Sequence, residues 1–207
     1  MSARPLAGDQ SLKRPVRARG RRTRRRLIDA ARRVFERDGY LEARVADIAA
    51  AAGVAHGSFY TYFDSKEHVF REMVAGVMDD FYAALEQREE GTAAERIRAA
   101  NRRYLELYRR RAPILGVIEQ VGALESFRGL RRELRARSVE RVERVVRALA
   151  EDGEARLEGL DAHALASALV GMLESFAYAW YVLKEPFDEG AARETLDLLW
   201  LRALGLQ

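Results

Sequence analysis

The chain has 207 residues, 48% of them hydrophobic and 33% charged, which suits a substantial core in one or two domains. It has no cysteine and only three histidines, His56, His68 and His163, which excludes disulfides and cysteine nucleophiles and argues against a histidine-based metal centre. No apolar run approaches the roughly 20 residues of a membrane span, and no apolar segment follows the basic N-terminus, so neither a membrane helix nor a secretory leader is expected.

Residues 1–21 contain Pro5, Gly8, Pro15 and Gly20 without an apolar period. They read as a flexible basic arm or a solubilising tail. After them the chain is helical nearly throughout. Leu27, Ile28, Ala31, Val34 and Phe35 share one helical face, and Gly39 is placed to stop that helix. Val45, Ile48, Ala49 and Ala52 line a second short helix, which ends at Gly53. A third short helix is expected over His56–Tyr62, anchored by Phe59 and Phe63. Three short helices, the last two separated by a glycine turn, describe a helix-turn-helix over residues 22–68.

The larger remainder, residues 69–207, is read as further helices. One begins near Lys66 and runs past Phe81. Others are expected over about 92–110, over 113–122 with Pro113 at its start, and over 127–151, 162–184 and 189–204. No segment alternates like a strand. The expected fold class is all-α, with about nine helices in total.

Charge separates the two ends. Residues 1–26 hold ten of the 36 Lys and Arg residues and one of the 32 acidic residues, a net of +9, and the remaining 26 basic and 31 acidic residues leave the rest at −5. A basic end on a mildly acidic body points to a polyanion. Nucleic acid fits better than an anionic membrane, because the basic stretch lacks the apolar face of an inserting helix. In a helix-turn-helix the second helix of the pair enters the major groove. His56, Gly57, Ser58, Tyr60, Thr61 and Tyr62 are therefore the candidates to face DNA, with Gly57 allowing close approach. Hydroxyls suit phosphate oxygens, so Tyr60, Thr61 and Tyr62 position more than they specify. Lys66 and Arg44 are further phosphate candidates, and Arg21 and Arg22 continue the footprint from the arm.

These residues carry a family resemblance. Gly39-Tyr40, Val45-Ala46-Asp47-Ile48-Ala49, Ala52-Gly53-Val54, Gly57 to Phe63 and Ser65-Lys66-Glu67, with Ala30-Ala31 and Phe35 upstream, resemble the TetR family of bacterial transcriptional regulators over about residues 23–70. The resemblance implies a cytoplasmic, chromosome-associated homodimer on a palindromic operator, usually a repressor. It gives Tyr60, Thr61, Tyr62 and Lys66 the backbone-contact role, and His56, Gly57 and Ser58 the groove-facing positions. Two residues depart from the pattern. Arg44 and Ala55 stand where the family usually has Ser or Thr caps before the second and third helices, a loss of about 1 kcal/mol each.

The same resemblance implies that the C-terminal body dimerises and binds a small molecule, whose binding alters the spacing of the two DNA-binding heads through the fourth helix. Leu165, Leu169, Leu173, Tyr178, Leu196, Leu199, Trp200 and Leu204 are the dimer candidates, although helical periodicity does not separate a dimer face from a core face. Tyr104, Tyr108, Phe127, Met172, Phe176, Trp180 and Tyr181 are the candidate pocket lining, with Arg103 or Arg128 for an anionic group. This composition favours a hydrophobic effector. A looser similarity to regulators of lipid or steroid catabolism implies an acyl-CoA-type compound. No cofactor and no metal are expected. The sequence carries no defensible catalytic constellation, so an enzyme is disfavoured. The alternative is a helical dimeric interaction module without ligand control.

Overall fold

The computed structural model describes residues 18–86 and 90–206. Among them are eight α-helices, one 3-10 turn and no strand. The helices are α1 (Ala18–Glu42), α2 (Val45–Ala51), α3 (His56–Phe59), α4 (Lys66–Leu85), α5 (Ala93–Gly122), α6 (Arg128–Glu151), α7 (Ala162–Tyr181) and α8 (Glu189–Ala203), with the 3-10 turn over Glu125–Phe127. The described residues fall into two compact units that divide between Tyr82 and Ala83.

In the first unit, α1 starts at Ala18, so residues 18–21 of the expected arm, Arg21 among them, are helical, while residues 1–17 lie outside the described residues. Arginine is a good helix former, and the Thr23 hydroxyl donates back to the Arg19 carbonyl at 3.1 Å, which extends the helix toward the N-terminus. Gly39 interrupts it as expected. Its φ of 73° and ψ of 170° are open to glycine and strained for any residue with a Cβ. Leu27, Ala31, Val34 and Phe35 are buried on one face of α1, together with Ile48 of α2 and Phe59 of α3. Phe70 of α4 meets Phe35 edge-on, with ring centroids 5.3 Å apart. Burial of these aromatic and aliphatic side chains supplies most of the stabilisation of so small a unit.

The second unit is built from α5 to α8. The Thr92–Glu95 capping box starts α5: the Glu95 amide donates to the Thr92 hydroxyl, and the Thr92 amide donates to the Glu95 carboxylate. Pro113 does not divide this helix as expected, and residues 93–122 form one element. Ala112, Ile114, Leu115 and Val117 around it are buried, and their packing outweighs the missing backbone donor. The helix α6 packs along α7 through Val139, Ala166 and Val170, and α8 packs on α5 and α7. Asp161 and Asp188 cap α7 and α8 by accepting from the Ala164 and Ala191 amides, each at 2.8 Å.

Candidate nucleic-acid interface and effector region

The helix α3 covers only His56–Phe59, shorter than its periodicity predicts. Tyr60, Thr61 and Tyr62 lie in the turn that follows, held by Thr61 N–H to the Ser58 carbonyl (3.2 Å) and Tyr62 N–H to the Phe59 carbonyl (2.9 Å). Phe59 and Phe63 are fully buried beneath this segment and fix which side faces out. His56, Gly57, Tyr60 and Thr61 are exposed, whereas Ser58 and Tyr62 are half-buried. The His56 and Tyr60 rings meet edge-on at 5.5 Å. A Cβ on Gly57 would touch nothing within 4 Å. The segment thus presents an imidazole, a phenol, a hydroxyl and a patch of bare backbone on one small outward face. Those groups suit phosphate oxygens and base edges.

Neither N-cap carries a side-chain hydrogen bond. Arg44 before α2 and Ala55 before α3 leave the amides there to backbone partners, as their side chains lead one to expect. Arg44, Arg21 and Arg22 are exposed. Two arginines of α1 hold the far end of α2: Arg26 donates to the Ala52 carbonyl and Arg33 to the Ala51 carbonyl. Arg24 pairs with Glu72 of α4, and its guanidinium lies 4.9 Å from the centroid of the Phe63 ring.

The side chains of Lys66 and His68 are both drawn into contacts within the first unit. Lys66 does not offer a free charge to a phosphate. Its ammonium donates to the carbonyls of Tyr40 (2.7 Å), Leu41 (3.0 Å) and Ala43 (2.9 Å). Partial burial lowers its pKa from the ordinary lysine value. His68 is a buried polar residue of α4. Its Nδ1 accepts from the Asp64 amide at 3.3 Å, and its Nε2 lies 3.2 Å from Glu72 Oε1.

In the second unit most of the candidate effector residues meet. Tyr104 and Tyr108 on α5 stand 5.9 Å apart, and Tyr108 lies 6.3 Å from Tyr181 on α7. Tyr181 stacks on Trp180 at 4.8 Å, and Trp180 meets Phe176 at 5.7 Å. Phe187, which the sequence reading passed over, stacks on Phe176 at 5.1 Å and extends this ladder of rings into the α7–α8 connection. Met172 sits one turn before Phe176 and is half-buried. Phe127 is sealed in the core. Arg128 is 67% exposed and lies 3.8 Å from Glu125, so it is a surface residue rather than a buried anchor. Arg103 is half-buried on α5.

The sequence reading also missed Glu174, Arg135 and Arg193 beside the rings. Burial pushes the Glu174 carboxyl above its ordinary pKa, against the opposing pull of Arg135 at 3.6 Å. Burial, then Glu119, Glu174 and Tyr178, push the Tyr108 hydroxyl up as well. Burial raises the Tyr181 pKa, against the opposing pull of Arg193 of α8. Arg135 of α6 and Arg193 of α8 had no local sequence signal, because they reach α7 from other helices.

The expected dimer residues divide. Leu169, Leu173, Leu196, Trp200 and Leu204 are buried within their own chain, so they are core residues of the protomer. Leu199 keeps 46% exposure, and Leu165 and Tyr178 are half-buried. Among the described residues no group of acidic or histidine side chains is arranged to hold a metal, and no helix is long and apolar enough to cross a membrane.

One long helix and two short ones over an aromatic core, with the turn after the third exposed, have the arrangement of a helix-turn-helix. Residues 27–73 match the family described as bacterial regulatory proteins, tetR family. The first unit thus carries the helix-turn-helix of this family of bacterial regulatory proteins. It is 44% identical over 63 residues to the HTH-type transcriptional repressor KstR2 of Rhodococcus jostii, a match that spans 30% of each chain. It is 26% identical over 179 residues to the fatty acid metabolism regulator protein of Bacillus subtilis, covering 84% of this chain and 91% of that protein. The structure of the Bacillus subtilis regulator FadR in complex with stearoyl-CoA superposes with a TM-score of 0.69 at 22% identity, covering 86% of this chain and 98% of that one.

Proposed function

We propose that the protein is a homodimeric repressor that binds a palindromic operator and is released from it by a hydrophobic effector of acyl-CoA type. DNA is bound through His56, Gly57, Ser58, Tyr60, Thr61 and Tyr62, with Arg44, Arg21 and Arg22 on flanking phosphates. The effector occupies the body along Tyr104, Tyr108, Met172, Phe176, Trp180 and Tyr181. Leu165, Tyr178 and Leu199 contribute to the dimer face.

The observation that carries this reading is the continuous ladder of rings from Tyr104 to Phe187, in a body similar over most of its length to a fatty acid metabolism regulator. Stacked rings with polar groups at their edges suit a long apolar chain with one polar end. Release from DNA then requires tighter effector binding to the DNA-incompetent state.

The test has two stages. Sheared genomic DNA is selected by the purified protein at about 0.15 M salt, where non-specific phosphate binding is weakened, and the retained fragments are sequenced. A single palindromic motif is expected. Long-chain acyl-CoA, free fatty acid and coenzyme A are then titrated against the selected duplex. Release by the acyl-CoA alone supports the proposal. Release by none of the three, from protein that binds the motif, overturns the effector part.

A further inference from the structure

We propose that Lys66 is a positioning residue for DNA recognition, whose ammonium group locks the α1–α2 connection instead of contacting a phosphate. The inference rests on the DNA-binding role of the first unit. The helical path breaks at Gly39 and α2 begins at Val45, which frees carbonyls in between from an unbroken helical ladder. Those of Tyr40, Leu41 and Ala43 converge on Lys66 Nζ at 2.7, 3.0 and 2.9 Å. An ammonium has three protons, and all three are used. Nζ also lies 4.6 Å from the centroid of the Tyr40 ring, and that ring packs on Phe35 and Phe70 at 5.7 and 4.8 Å. The cation is thus boxed between carbonyl oxygens and an aromatic face.

Position adds a second argument. Lys66 opens α4, where the positive end of the helix disfavours a cation. The carbonyls supply the compensating negative charge. Arg44 makes no side-chain cap for α2, and the last pinned residue, Ala43, immediately precedes it. The clamp thus steadies the entry to α2 from the carbonyl side, where a Ser or Thr cap would have accepted from the first amides. It fixes where α2 begins, and through α2 it fixes the path into the recognition segment. A phosphate contact would take a proton from a partly buried carbonyl and leave it unpaired.

The experiment compares full-length wild type with Lys66→Met, which keeps an apolar stem and loses the charge. Amide hydrogen exchange is followed over residues 40–51. Binding to a mixed-sequence duplex of about 30 base pairs is measured between about 50 and 200 mM salt, after circular dichroism shows that the variant is folded. The expected result is exchange faster by about tenfold over Ala43–Ala51. Affinity should also fall by about tenfold, with an unchanged slope of log affinity against log salt. A slope smaller by about one per protomer would mean that Lys66 neutralises a phosphate, and the proposal fails. Unchanged exchange removes the clamp. Faster exchange with wild-type affinity reduces Lys66 to a structural residue and also overturns the proposal. A wild type that binds no duplex sinks the DNA-binding role and the positioning role together, while the exchange result still decides the clamp.

Discussion

Replacing Gly57 with alanine separates stability from recognition. Gly57 is the second residue of α3 and is exposed, and its backbone is not in the left-handed region. A Cβ there meets nothing within 4 Å, so the methyl group creates no clash inside the protein. Alanine is favoured over glycine by up to about 1 kcal/mol in a helix interior, and in so short a helix roughly half of that is expected. For a chain of this size the gain raises the melting temperature by about 1–2 °C. On DNA the methyl group projects from the face where bare backbone is expected to approach the duplex. The affinity for the selected operator should then fall roughly tenfold, equivalent to about 1.4 kcal/mol. Differential scanning fluorimetry and fluorescence anisotropy at about 0.15 M salt measure the two effects on one preparation. A variant with raised stability and undiminished affinity would refute the placing of Gly57 against DNA. A lowered melting temperature would refute the claim that the site is open.

Three other outcomes are expected. His56→Ala should change the motif enriched from genomic DNA, and recovery of the same motif would remove His56 from base readout. Trp180 and Trp200 are the chain's two tryptophans, and Trp180 is the one in the ring ladder. Quenching of intrinsic fluorescence by a long-chain acyl-CoA should therefore disappear in Trp180→Phe, and persistent quenching would move the effector away from the ladder. The folded-state pKa of Glu174 is raised, chiefly by burial. The folded protein thus holds that proton more tightly than the unfolded chain does, and stability is lost as the pH rises through the folded pKa. Glu174→Gln should accordingly raise the melting temperature at pH 7 relative to wild type, by more than it does near pH 4. An equal or larger gain at pH 4 would contradict this.

The helix-turn-helix was legible because its signals are local. Glycines at 39 and 53 sit where φ is 73° and 64°, and the apolar spacing around Phe35, Ile48 and Phe59 predicts the faces that are buried. Local signals also misled. Pro113 looks like a helix start, yet buried neighbours on both sides carry the helix through it. Tyr60 to Tyr62 continue a helical pattern, yet the backbone turns after Phe59. Lys66 matches a family position for phosphate contact. Its acceptors are carbonyls 23 to 26 residues upstream, which no local pattern reveals.

The body shows the same limit. The period of its helices placed Leu169, Trp200 and Leu199 all on apolar stripes, and only packing decided that the first two are buried while Leu199 stays open. Likewise Phe187 lies in a connection without periodicity, and it joins Phe176 and Trp180 only because the chain folds back there. By itself the sequence determined an all-helical chain, the order of its elements and the buried faces of its first helices, since helix periodicity and glycine turns act over a few residues. Only the tertiary structure decided which apolar side chains close the core, which rings assemble and which cations are already spent. Those outcomes depend on contacts between residues far apart in the chain, where many pairings satisfy the same local pattern and packing selects one.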